Sequence, residues 1–205
     1  MFLLLRPLPK DAGCVRWPRI SVGRSTLEGF IRLAGLIDRI NRVFAVIAAI
    51  LVLVSCLISA ANALSRYAFS ISSNAWLEIQ WQMFAGIFLL GAPYVLKLNE
   101  HVRVDILYGG RSDRAKLWID VFGILFFLFP AMGMMALMGF EFFANSFAQG
   151  EISSNAGGLP VWPVKALLPL GFALVFLQGI AELIKRIAAL RGDEAMAVVY
   201  EKPLQ

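Results

Sequence analysis

At 205 residues, 59% hydrophobic and only 16% charged, the chain lies far from soluble domains, which run about 45–50% apolar and about 25% charged. A net charge of +5 and a pI near 9.5 would suit a nucleic-acid binder, but the basic residues sit where a membrane protein puts them, as counted below. A single histidine, His101, excludes haem held by paired imidazoles, and Cys14 and Cys56 have neither disulfide nor metal-ligand spacing.

In chain order, Met1–Leu5 is apolar but shorter than the roughly 7–15-residue core of a secretory signal, and Arg6 and Pro7 follow it. Residues 1–25 are therefore expected to be a cytoplasmic tail. Over 26–42, at about 100° per residue, Glu28, Arg32, Asp38, Arg39 and Arg42 fall within an arc of roughly 120°, with Leu27, Phe30, Ile31, Ala34 and Ile37 elsewhere. This pattern predicts an amphipathic helix in the cytoplasmic interface; the competing reading is a cytoplasmic extension of the first span.

Four apolar stretches then reach the roughly 20 residues a bilayer crossing requires: 43–64, 75–96, 117–140 and 164–184. Their central windows contain no Asp, Glu, Lys, Arg or His. The predicted organisation is an all-α integral membrane protein, with a four-helix domain over 43–190 and a cytoplasmic tail over 191–205. Of the lysines and arginines, eight lie in 1–42, five in 97–116 and four in 185–205, leaving only Arg66 and Lys165 for the other side. The positive-inside rule then places both termini and the 97–116 loop in the cytoplasm. The loops 65–74 and 145–160 would face outward, with Arg66 and Glu151 as candidate docking charges.

Those outer loops share a pentapeptide, Ile-Ser-Ser-Asn-Ala, at 71–75 and 152–156. Duplication would explain it, but local capping by Ser73 or Asn74 is the simpler account. Ser112 and Asp113 read as the N-cap and first turn of the third helix. Trp76, Trp81, Trp118 and Trp162 fit the aromatic belts of a bilayer. Lys97 and Lys165 are read as snorkelling to headgroups, and Asp120, Glu141 and Glu182 as charges at span ends, where they cost little.

A self-sufficient carrier needs polar groups near the midplane, usually with broken helices; here the centres hold little more than Ser55 and Cys56. Pro130 and Pro169 do not alter this, because proline is common in membrane spans. A four-helix exporter would carry its carboxylate deep in the bilayer, whereas Glu78 is only about 5 Å into its span at 1.5 Å per residue. No nucleophile–base pair or metal cluster suggests an enzyme. What is left fits a partner subunit, with a self-contained small-solute exporter as the alternative.

Three motifs sharpen this: Arg66-Tyr67-Ala68-Phe69, Trp76-Leu77-Glu78, and Glu100-His101-Val102-Arg103-Val104-Asp105. In combination they resemble the small membrane subunit, DctQ type, of tripartite ATP-independent periplasmic (TRAP) transporters, over about residues 36–190. The stretch 153–163, Ser-Ser-Asn-Ala-Gly-Gly-Leu-Pro-Val-Trp-Pro, is similar to a subgroup labelled for mannitol or chloroaromatic compounds. The resemblance implies a bacterial inner-membrane protein that scaffolds a secondary importer of organic acids. A large membrane subunit would bind solute and sodium, a periplasmic solute-binding protein would deliver the solute, and this chain would hold no cofactor of its own.

The expected partner-facing or structural residues are Asn74, Glu78, Gln82, Arg66, Trp81, His101 and Asp105. Asn74, Glu78 and Gln82 recur every four residues and share one helix face, which suggests a polar stripe packed on protein. His101 and Asp105 are expected to organise the cytoplasmic turn rather than to carry protons.

Overall fold

The computed structural model describes residues 24–71, 73–98, 112–155 and 158–191, with side chains from Gly29 onward. The described residues are almost wholly helical: α1 (Arg24–Phe69), α2 (Asn74–Leu98), α3 (Asp113–Gly123), a π turn (Ile124–Leu128), α4 (Phe129–Gln149) and α5 (Trp162–Leu190). α3, the π turn and α4 run on as one span, so four helices are long and apolar enough to cross a bilayer. Each of the four expected spans lies inside one of them. The connections at one end of the bundle, residues 70–73 and 150–161, are short, because α1 and α4 continue further than hydropathy alone suggested.

The first difference from expectation is α1. Its 46 residues form one unbroken helix, about 69 Å long at 1.5 Å per residue, and 26–42 is continuous with the span rather than set apart. A repeat explains how so long a helix stays packed. Ala34, Ile37, Asn41, Phe44, Ala48, Leu51 and Ser55 follow one another at spacings of three and four. A strict 3.5-residue period keeps one seam facing its neighbours along a gently supercoiled helix. Ala34 and Ile37 bury against Ala181 and Ile184 of α5. Ala48, with Phe44 and Leu51 beside it, packs with Leu90 of α2 and Leu174 and Leu167 of α5.

α1, α2 and α5 pack pairwise on one another, and α4 packs on α5. Close approach depends on missing side chains: a Cβ at Gly171 would meet Leu89 Cβ at 2.7 Å, and one at Gly179 would meet Leu128 Cδ2 at 2.6 Å. Leu128 closes the π turn, where Phe129 N–H reaches back to Ile124 O. The wider turn sits immediately before Pro130, which can donate no backbone hydrogen bond.

Caps set the helix starts. The Ser73 hydroxyl accepts from Ala75 N–H at 3.3 Å, and the Ser112 hydroxyl from Ala115 N–H at 3.4 Å. In the second pentapeptide it is Ser153, one place earlier in the motif, that accepts from the amide two residues on (Asn155 N–H, 3.4 Å). Trp76, Trp81, Trp118 and Trp162 are all substantially exposed near the ends of the helices, as an aromatic belt requires.

Candidate functional site

Polar chemistry in the described residues gathers at two levels, called outer and inner after the sidedness expected from the sequence. At the outer level, Glu78 is only 8% exposed, one turn into α2. Its carboxylate accepts from Leu159 N–H at 3.3 Å, and Gln82, one turn further, donates to Pro160 O at 3.2 Å. The stripe therefore faces protein of the same chain and grips the backbone of the 150–161 loop. Asn74, the first member of the stripe, is exposed.

That loop is tied at several further points. Ser153 N–H donates to Leu159 O, and Val161 N–H to Glu151 O. Ile152 and Pro160 form an isolated antiparallel bridge. Gly150 ends α4 in the left-handed conformation (φ 60°), which suits glycine. At Gly158 a Cβ would fall 2.2 Å from Ser153 O, so no side chain fits there.

Lys165, at the start of α5, donates to Glu151 and lies 4.0 Å above the Phe142 ring. Lys165 is thus held by protein rather than reaching for headgroups, and Glu151 is a paired group rather than a free docking charge. The lysine's hydrogen bond holds the Glu151 carboxyl below its ordinary value of 4.5. Arg66 and Tyr67 are exposed at the end of α1, where with Ser59, Asn62 and Ala63 they line a shallow open groove. Trp81 is 70% exposed.

At the inner level a buried polar cluster joins four helices, and the sequence reading missed it. Asn41 and Gln178 are fully buried, and Asn41 Nδ2 donates to Gln178 Oε1 at 2.6 Å. Gln178 Nε2 donates onward to Asp38 (3.0 Å) and Glu182 (3.1 Å). Lys185 Nζ bridges Asp38 (2.9 Å) and Glu182 (2.9 Å). Lys97, ending α2, reaches Asp38 at 3.4 Å. Arg186 Nε donates to Asp120 of α3 at 2.9 Å, and its Nη1 to Glu182 at 2.5 Å.

Among the described residues three acids face three bases, the pairing that burial demands of charges that would otherwise lose water uncompensated. Asp120 and Glu182 are consequently not lone charges at span ends: they are 9% and 5% exposed and share one arginine. Lys97 does not snorkel freely either. Glu141, by contrast, is exposed. A partial signal was present in the sequence. Gln178, Glu182, Lys185 and Arg186 fall at i, i+4, i+7 and i+8, on one helix face.

Between these levels the spans are apolar. Among the described residues no group of three or more His, Cys, Asp and Glu side chains could hold a metal ion, and Cys56 is a free thiol on an exposed face of α1. His101 and Asp105 lie outside the described residues. Among the described residues, the arrangement fastens helices together at both ends and presents no polar chamber between them. A family model described as the DctQ component of tripartite ATP-independent periplasmic transporters matches residues 55–189, which include the latch, the 150–161 loop and the α3 and α5 parts of the inner cluster. No curated protein and no solved structure matches the chain. With the matched region covering well over half of the sequence, the chain belongs to the DctQ family, a component of TRAP transporters and not a family of enzymes.

Proposed function

We propose that this chain is the small scaffold subunit of a TRAP-type secondary importer of organic acids. In this reading it sits in the bacterial inner membrane with both termini cytoplasmic. It pairs with a large membrane subunit that binds the solute and the coupling sodium, and with a periplasmic solute-binding protein.

The observation that carries the reading is the distribution of polar groups. The centres of the four spans carry no charge, and the charges of the inner cluster pair with one another. An uncharged centre cannot strip water from a carboxylate solute, because no fixed cation or helix break replaces the lost hydration. The same observation disfavours a self-contained exporter, whose carboxylate must work inside the bilayer; Glu78 is committed to a backbone amide at the outer edge. The outer latch supports a fixed scaffold as well, since it presets a loop on the face where a soluble partner would meet the unit.

Co-expression of the tagged chain with the large subunit of the same transporter tests the reading. The expected result is a complex that survives purification in mild detergent. Recovery of this chain alone, with the large subunit stably produced in the same membranes, would refute it.

A further inference from the structure

A polar stripe on α1 belongs to neither the latch nor the inner cluster. In the apolar run from Val43 to Leu64 the hydroxyl and amide side chains are Ser55, Ser59 and Asn62. With Arg66 they follow one another at spacings of four, three and four, which keeps them on one helix face. Ser55 is buried, at 4% exposed. Ser59, Asn62 and Arg66 open, with Ala63 and Tyr67, onto the groove at the end of α1. Its volume of about 410 Å³ falls within the roughly 300–1,000 Å³ of small-ligand sites.

Contacts between α1 and α2 fix the depth of this groove. A Cβ on Gly91 would lie 3.9 Å from Ala48, and one on Gly86 would lie 3.0 Å from Leu51. Counting outward along the two antiparallel helices puts Ser59 level with Ile79 and Gln80, and Asn62 level with Trp76. Arg66 is then level with the turn that joins α1 to α2. Trp76 and Trp81, both exposed, mark the interface between hydrocarbon and headgroups. That interfacial layer is about 5–8 Å thick on each side of a bilayer. Arg66 lies four residues beyond Asn62, about 6 Å along the helix axis. The two side chains therefore stand at opposite edges of the layer, the guanidinium among phosphates and the amide among glycerol esters.

The lining chemistry matches that order. The groove offers a guanidinium, a phenol, an amide and a hydroxyl, and its lining residues include no carboxylate. A guanidinium holds phosphate through paired N–H bonds, and its five donors can serve a neighbour in the chain and a phosphate together. The phenol of Tyr67, 94% exposed, adds a donor at the same level. Deeper in, the Asn62 amide and the Ser59 hydroxyl supply donors where acyl-ester carbonyls, which only accept, are found. A headgroup ammonium would meet the guanidinium with no acid among the lining residues to receive it. A headgroup of net negative charge meets no such conflict.

We propose that this groove binds one phospholipid with an anionic headgroup, its phosphate on Arg66 and Tyr67 and its ester carbonyls on Asn62 and Ser59. Arg66, which the sequence suggested as a docking charge, is thereby assigned to the bilayer. The proposal needs only that the chain crosses a membrane, and it is independent of the pairing with a large subunit.

The test uses the full chain, purified in mild detergent and stripped of lipid. It is titrated with phosphatidylglycerol or phosphatidylethanolamine of matched acyl chains, and bound lipid is counted by native mass spectrometry. Wild type should retain one phosphatidylglycerol about tenfold more tightly than phosphatidylethanolamine, a ratio equivalent to ~1.4 kcal/mol. Arg66→Gln should lose that preference, and Asn62→Leu should weaken both lipids alike, because both carry the same esters. Arg39→Gln, which removes an exposed arginine elsewhere on α1, should match wild type.

Equal retention of the two lipids by wild type, or unchanged preference in Arg66→Gln, would overturn the proposal. Displacement of phosphatidylglycerol by excess inorganic phosphate would assign the groove to a free anion and overturn the lipid assignment. Should lipid-free Arg66→Gln melt below wild type, Asn62→Leu decides: retention equal to wild type in that variant overturns the site, and weakened retention of both lipids supports it.

Discussion

Arg186→Met tests whether the inner cluster holds the four helices together. Methionine keeps the length and the apolar stem but removes the guanidinium that spans Asp120 and Glu182. Both carboxylates then lose the guanidinium while remaining buried, and Glu182 keeps Lys185 and the Gln178 amide. Breaking a buried pair by deleting one partner costs about 3–5 kcal/mol, mostly the penalty of the charge left behind. For a chain of this size about 1 kcal/mol shifts the melting temperature by ~2–4 °C. Thermal unfolding of the chain in nanodiscs, followed by tryptophan fluorescence, should therefore show a drop of roughly 6–20 °C by that conversion. The quadruple variant Asp120→Asn, Glu182→Gln, Lys185→Met, Arg186→Met removes two acids and two bases, leaves Asp38 with Lys97, and should recover most of the loss, because buried charges exchanged together for neutral groups of similar shape are often nearly neutral in cost. A single variant that melts with wild type would refute the clamp and return these residues to the status of solvated span ends.

The outer latch gives a graded pair: Glu78→Gln retains an acceptor for Leu159 N–H, whereas Glu78→Leu leaves that amide unpaired at a cost of about 1–3 kcal/mol. Amide exchange of Leu159 and Val161 should accelerate clearly in the leucine variant and little in the glutamine one; equal rates in all three proteins would sink the latch. Because Lys165 holds the Glu151 carboxyl below its ordinary value of 4.5, its ion pair contributes fully above that value and is lost as pH falls through the lower, folded-state value. Exchange in the loop 150–161 should be flat through neutral pH and rise only under acid, and Lys165→Met should move the rise toward the ordinary glutamate range; an unmoved rise would show that Glu151 is not held by the lysine. Gly171→Ala drives a methyl into Leu89, 2.7 Å away, and overpacking of this kind costs about 1–3 kcal/mol; a variant as stable as wild type would mean that α2 and α5 are not in the close contact described.

What the sequence made legible follows from which signals are local. Four long apolar runs with uncharged centres and a lopsided distribution of arginine and lysine need no tertiary knowledge, and neither do the caps at Ser73 and Ser112. The inner cluster was missed because Asp38, Lys97 and Asp120 belong to three different helices, and each, taken alone, is an unremarkable residue near a span end. Only the packing of α1, α2 and α3 against α5 brings them to Glu182, Lys185 and Arg186. The placement of α1 was half legible. The charged arc over 26–42 is real, but the 3.5-residue repeat that carries through Asn41 into the span was the stronger pattern, and it makes one helix of the two segments. For Glu78 the four-residue spacing pointed to a protein-facing stripe, whereas its partner, a backbone amide in the loop 150–161, lies 81 residues away and could not be read from spacing.

Flux through proteoliposomes bears most directly on the central claim that this chain scaffolds transport and does not perform it. Vesicles containing the chain alone should show no uptake of an organic acid under an inward sodium gradient with the solute-binding protein present. Vesicles containing the chain and its large subunit should show sodium-dependent uptake that requires the binding protein. Solute-dependent flux through the chain alone would contradict the account.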